Sequence, residues 1–302
     1  VSRRKNKGRA LNGLLLLDKP AGESSNRSLQ KAKRIFNAAK AGHTGTLDPL
    51  ATGLLVICFG RATKISDYLL AVDKQYQVVL KLGVSTDSAD ADGKILEQRD
   101  ASNVTEAQIL QHAETLTGSI EQVPPMYSAV KHQGSRLYEL ARKGIEVERT
   151  PRKVKIFSFE MINYQQSLVT MQVHCSKGTY IRTLVEDLGK LLLCGAHVVE
   201  LRRTSIGPFT KPKMHTLDEL EEFAEQGSSV IDQILIPTDQ ALMDWPAVTV
   251  ADEQMKDMRN GHTLQLPNLP DQGLVRIYDT DQLFYGIGRI GEDGRMAPKP
   301  LN

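Results

Sequence analysis

The sequence predicts an α+β fold with a second, small β-rich domain at its C-terminal end. Three observations predict it. Strand-like runs and amphipathic helical stretches do not alternate strictly, which disfavours a doubly wound parallel sheet. In SLVTMQVHC, Val169, Met171, Val173 and Cys175 alternate with Thr170, Gln172 and His174, the period of a strand with one buried face. Beyond DWPAVTV at 244–250 come one helix and short strand-like runs joined by Gly-rich turns. The predicted domains are residues 1–245 and 246–302.

The elements follow in order. LNGLLLLDKP is a short apolar run between Gly13 and Pro20, so it reads as a buried strand. In GESSNRSLQKAKRIFNA, Leu29, Ala32, Ile35 and Phe36 share one helical face, and the Ser-Ser-Asn ahead of them supplies a cap. LLVICFG and YQVVLKLG read as strands, and TDSADADG as an acidic turn. TEAQILQHAETLTG is a helix with a Thr105–Gln108 capping box and Gly118 as its stop. VKIFSFEMI is a strand. TYIRTLVEDLGKLLL is a helix with Ile181, Leu184, Val185, Leu188 and Leu192 on its apolar side. HVVELRRTSIGPFT runs from a strand into a Gly-Pro turn. TLDELEEFAEQG is an acidic helix capped by Thr216 and Glu219. The segment 124–152 opens with two prolines, is basic and holds one short helix near 136–143; it reads as an insertion projecting from the body.

Charge is divided unevenly. The net charge is only +2, yet residues 214–260 hold 11 acids against 2 Lys/Arg, while residues 1–213 carry about +12. The stretch VSRRKNKGR has five bases and no acid, and residues 131–155 have eight bases against three acids. A polyanion such as RNA would be drawn to this part, although a solvated basic face would look the same. No apolar run approaches the roughly 18 residues of a membrane span, and LLLL is too short for an export signal, so a cytoplasmic protein is expected. Cys58, Cys175 and Cys194 are odd in number and far apart, which argues against a disulfide framework or a cysteine metal site.

Two motifs are decoys. GIGRIG at 286–291 matches G-x-G-x-x-G, but no plausible helix follows it, so a dinucleotide site is rejected. Asp87, Asp90 and Asp92 with Gly93 do not match a calcium loop and read as a turn.

AGHTGTLDPLATGLL at 41–55 is more informative. Asp48 before Pro49 has the look of a helix N-cap, but Gly53 and the next strand leave hardly any room for a helix. What remains is a carboxylate held on a rigid turn between buried elements, where active-site groups are often found. In HCSKGTYIRT, Arg182 lies in the first turn of its helix, where a cation opposes the helix dipole. Pairing with Asp48 would explain it; so would pairing with another acid. Tyr76 and Tyr180 stand beside these turns, placed either to stack on a base or to pack in the core.

These segments resemble the TruB family of tRNA pseudouridine synthases. AGHTGTLDPLATGLL is similar to its catalytic motif, and LLLLDKPAGESS, GVSTDSADADG, VPPMYSAVKHQGSRLYELARKG, CSKGTYIRTLVEDLG and ELRRTSIGPF agree with it in the same order. The resemblance spans about residues 10–213, and the tail resembles a PUA-type RNA-binding domain. It implies a pseudouridine-synthase fold with a mixed, largely antiparallel central sheet flanked by helices. It also implies isomerisation of the T-loop uridine of tRNA. Asp48 is then the catalytic acid and Arg182 the partner that keeps it ionised. Tyr76 would stack on the target base, with Tyr180 and Leu201 lining the uracil pocket. His43 would contact RNA where the flipped base has left. Lys19 and Pro20 would form a supporting turn, and 124–152 an RNA-gripping loop.

The implied partner is the tRNA T-arm stem-loop, bound by a monomer with no obligatory protein partner and no metal. The reaction imports no group and changes no oxidation state, so no cofactor is expected. Two rivals stand against this expectation. One is a non-catalytic RNA-binding protein or tRNA chaperone; the other is a hydrolase using His43 and Asp48.

Overall fold

The computed structural model describes residues 8–267 and 269–300; the basic stretch 1–7 lies outside them. The predicted apolar runs become strands of one nine-stranded sheet. Gly13–Lys19 pairs antiparallel with Thr52–Phe59, and both strands are almost wholly buried. Thr52–Phe59 then runs parallel to Ala196–Ile206 through Arg202 opposite Thr52 and Arg203 opposite Gly53. Beyond Ala196–Ile206 the order is Lys74–Leu82, Leu168–Cys175, Arg152–Gln165 and Gly118–Gln122, all antiparallel. The sheet is therefore mixed and largely antiparallel.

Helices cover it where its strands are apolar. Ser25–Ile35 and Leu217–Glu225 pack over Leu15, Leu17, Leu55 and Ile57. Glu106–Thr115 and Ile181–Leu191 pack over Val78, Leu80, Val173 and Val198. Ser24 caps the first of these helices, and the two predicted capping boxes form at Thr105–Gln108 and Thr216–Glu219.

One strand is longer than its sequence pattern suggests. Arg152–Gln165 spans 14 residues, and two register shifts against its neighbour let it bend. The helix after SKGT begins at Ile181, with Tyr180 as its N-cap.

The insertion is built of little. It holds a hairpin of Lys131–His132 with Ser135–Arg136 and the short helix Leu137–Ala141, whose Leu137 is buried. The C-terminal part is a four-stranded sheet with a core of Val250, Met255, Met258, Val275 and Ile277. It meets the body through Ile287, Phe284, Tyr68 and Trp245. GIGRIG lies mostly in its strand Phe284–Ile290 and is followed by a turn and another strand, not by a helix.

Candidate active site

The loop carrying Asp48 is fixed from below. Lys19, fully buried, donates from Nζ to the carbonyls of Pro20 (2.6 Å) and Ala51 (2.7 Å), with Pro49 O at 3.4 Å. Ser25 Oγ accepts from Leu47 N at 2.8 Å and donates to Leu47 O at 3.1 Å. The backbone N–H of Gly22 donates to Pro49 O at 2.8 Å. The bonds to Ala51 O and to Leu47 are buried and satisfy backbone groups that a helix or strand would otherwise serve. Gly53 closes the loop at φ +94°, and a Cβ there would meet Arg203 O at 2.3 Å, so glycine is required.

Asp48 meets a guanidinium that three parts of the chain hold. Arg182 Nε lies 2.9 Å from Asp48 Oδ2, and Nη1 lies 3.3 Å from Asp90 Oδ2. Nη1 also donates to Ser88 O at 3.0 Å, and Nη2 to Tyr127 O at 2.8 Å. Arg182 is 4% exposed at its side chain and Asp48 35%. The Asp48 contact is a charge pairing, because the buried Nε–H is not aimed along a hydrogen bond. Asp90 in turn is held by Ser88 Oγ and by the backbone N–H of Asp92. The predicted Asp48–Arg182 pair thus forms, and the acidic turn supplies a second carboxylate that the sequence reading took for a turn residue alone.

A cleft of about 250 Å³ opens over this pair. It lies just below the roughly 300–1,000 Å³ of pockets for larger ligands, which suits one small planar ring. Tyr76, Tyr180, Leu201, Leu47 and Ile181 supply apolar walls, and Asp48, Arg182, Lys74 and Arg203 the charged ones. Ser128 and Ala129, at the root of the insertion, close one side. Arg203 is almost completely buried and donates to Leu54 O (2.7 Å) and Gly45 O (3.1 Å). Lys74 Nζ caps the turn after helix Ser66–Ala71 by donating to the carbonyls of Val72 and Leu70.

Burial sets the direction of most titrations here. It pushes the Asp48 carboxyl above its ordinary range; Arg182 pulls it back, while the charge of Asp90 adds to the rise. Burial lowers Lys19 to about 8 against the opposing pull of Glu23 and Asp48, and lowers Lys74 to about 8. Burial also raises the Tyr76 hydroxyl, so this side chain stays a neutral aromatic face. The expected opposition of burial and Arg182 at this carboxyl is present, with desolvation the larger of the two effects.

The predicted residues separate into three groups. Asp48, Arg182, Tyr76, Tyr180 and Leu201 come together around the cleft. Lys19 and Pro20 lie beneath it, under the Asp48 loop. His43 ends the strand Ala41–His43 and is not among the lining residues; burial and then the charge of Arg203 lower its pKa. Lys74, Asp90, Ser128 and Arg203 were missed. For Lys74 and Arg203 a signal existed, since alternation sets them on the inward side of their strands beside Tyr76 and Leu201.

Residues 33–181 match the N-terminal domain of the TruB family of pseudouridylate synthases, and 182–243 the tRNA pseudouridylate synthase B C-terminal domain. Residues 246–301 match the C-terminal region of the pseudouridine synthase II TruB group. The chain is 49% identical over 298 residues to tRNA pseudouridine synthase B of Nitrosococcus oceani, covering 99% of this chain and 97% of that protein.

This chain belongs to the TruB family of pseudouridine synthases.

A second member, tRNA pseudouridine synthase B of Escherichia coli O9:H4, is 46% identical, with 100% of this chain and 98% of that one covered. Among solved structures, a chain of a Cbf5-Nop10-Gar1 complex superposes with a TM-score of 0.75 at 26% identity, over 96% of this chain and 85% of that one. The family's fold is thus kept on a chain of quite different sequence. In this member of the family, the cleft joins one carboxylate, two guanidinium groups, one lysine and two tyrosines.

Proposed function

We infer that this chain isomerises uridine 55 in the T loop of tRNA to pseudouridine, with Asp48 as the catalytic carboxylate. The observation that carries the reading is the placing of Asp48 against Arg182 in a cleft sized for one base and walled by Tyr76, Tyr180 and Leu201.

The chemistry breaks the C1′–N1 bond, turns the uracil and joins C5 to C1′. The proton on C5 leaves and N1 gains one, so the product has the mass of the substrate. Asp48 acts in its ionised form, as nucleophile or base. Arg182 favours that form and holds the carboxylate in place. The base must leave its stack, at a cost of a few kcal/mol. Stacking on Tyr76, worth about 1–3 kcal/mol, is of the size to offset this. The apolar walls keep the detached uracil beside the sugar. Lys19 and Pro20 brace the Asp48 loop, and His43 meets RNA outside the cleft.

Residues 1–245 form the catalytic domain in this reading, with the insertion at 124–152 gripping RNA. Residues 246–302 form a PUA-like domain that adds RNA contacts. The protein works as a monomer in the cytoplasm. No helix among the described residues is long and apolar enough to cross a membrane. The test is a T-arm stem-loop RNA incubated with the protein, with pseudouridine mapped by position. Conversion at position 55 with unchanged RNA mass supports the reading. Strand cleavage, free uracil, or binding with no conversion overturns it.

A further inference from the structure

The cleft wall contributed by the insertion holds a hydroxyl with no assigned task. Ser128 is 5% exposed and lines the cleft. Its Oγ is buried and has no hydrogen-bond partner among the described residues. Of the cleft-lining side chains, the one other buried polar atom in this condition is Arg182 Nε, which already faces Asp48. An unpaired buried hydroxyl costs free energy, so a protein that keeps one needs a reason.

The backbone around Ser128 is pinned while its side chain is not. Its N–H donates to Met126 O at 2.9 Å, and its carbonyl accepts from Tyr138 N at 3.1 Å. The preceding carbonyl, on Tyr127, accepts from Arg182 Nη2 at 2.8 Å. One more step along the chain, Ala129 also lines the cleft. Ser128 is therefore next in the chain to the carbonyl that binds the guanidinium paired with Asp48, and Ser128 and Arg182 both line the cleft. A turn about a single side-chain bond re-aims its hydroxyl. A hydroxyl can both donate and accept, and uracil and ribose offer both kinds of partner on their edges.

We propose that Ser128 Oγ is a substrate-contacting group, left unpaired in the free protein so that it can hydrogen-bond a polar edge of the flipped nucleoside. The proposal rests on the uridine-isomerising reading above. It places one wall of the recognition site on the insertion itself, so that seating RNA on the insertion and holding the base are joined in adjacent residues. A structural serine and a substrate-reserved serine behave oppositely when removed. The first loses a bond and the protein loses stability; the second loses a burden and the protein keeps or gains stability.

The experiment compares wild type, Ser128→Ala and Asp48→Asn. Thermal midpoint, stem-loop affinity and single-turnover pseudouridine formation are measured for each. Ser128→Ala is expected to melt at the same or a higher temperature and to lose roughly three- to tenfold in kcat/KM, the worth of one neutral hydrogen bond. Affinity for a stem-loop with 2′-deoxyuridine at the target position then assigns the edge. A loss confined to the ribose form marks the 2′-hydroxyl, and a loss with both forms marks the base. Unchanged kcat/KM in Ser128→Ala, or a lowered melting point with unchanged affinity, overturns the proposal while an inactive Asp48→Asn leaves the isomerase reading standing. An active Asp48→Asn overturns that reading instead.

Discussion

The Asp48 loop and the insertion face each other across the cleft and are built on opposite principles. The loop has no regular structure, yet Lys19, Ser25 and Arg203 tie down its flanking backbone from inside the protein. The insertion has a hairpin and a helix, yet most of its side chains are exposed and Leu137, Ser128 and Pro124 are its buried anchors. Secondary structure is thus no measure of rigidity here; burial and the destination of the backbone hydrogen bonds are. The proposed chemistry is placed on the braced side, where a carboxylate keeps its position. The basic charge proposed to meet RNA is placed on the side with few buried anchors.

The contrast can be broken most severely at Asp48. Asp48→Asn keeps the shape and removes the charge; tritium release from RNA carrying uridine labelled at C5 should fall at least about 10³-fold. Stem-loop binding should persist within a few-fold. Retained tritium release would move the chemistry elsewhere. Arg182→Lys comes next. It keeps a cation but cannot reach Asp48, Asp90, Ser88 O and Tyr127 O together. A fall of about 10²-fold in kcat is expected in single-turnover assays; near-normal turnover would make charge alone sufficient.

On the insertion the expected effect is smaller and different in kind. Replacing Lys131, Arg142 and Lys143 by Ala should weaken tRNA binding and flatten its dependence on salt by about 0.7–0.9 per lost phosphate contact, read from affinities at several salt concentrations. Saturating turnover should change little. An unaltered salt slope would take these residues out of the RNA-facing surface. Smallest of all, Thr105→Ala removes the cap of Glu106–Thr115, a helix with no residue in the cleft lining. It should cost about 1 kcal/mol in urea unfolding with kcat/KM unchanged.

The sequence made the braced side more legible than the contacts that brace it. Asp48 was visible because a lone carboxylate stood in a turn with no room for a helix, and Arg182 because it opposed a helix dipole. Period-two alternation correctly buried Val169, Met171, Val173 and Cys175. The same alternation would have turned Lys74 and Arg203 inward, had an inward cation been read as a site residue rather than a surface one. Asp90 was not legible. Its turn reading was right locally, but its carboxylate reaches Arg182 from another part of the chain. Ser128 was equally silent, because an unpaired hydroxyl is a property of packing and leaves no mark in spacing.

The most direct test of the central claim is the pH dependence of single-turnover isomerisation. In the proposed reaction Asp48 acts in its ionised form, and its folded-state pKa is raised, first by burial and further by Asp90, against the pull of Arg182. The rate should therefore fall on acidification with a midpoint above the ordinary carboxylate value of 3.8. In Asp90→Asn one of the charges that raise it is gone, so that midpoint should move to lower pH. A wild-type midpoint at or below 3.8, or one that Asp90→Asn leaves in place, would contradict the account of a partly buried carboxylate tuned by the guanidinium and acid around it.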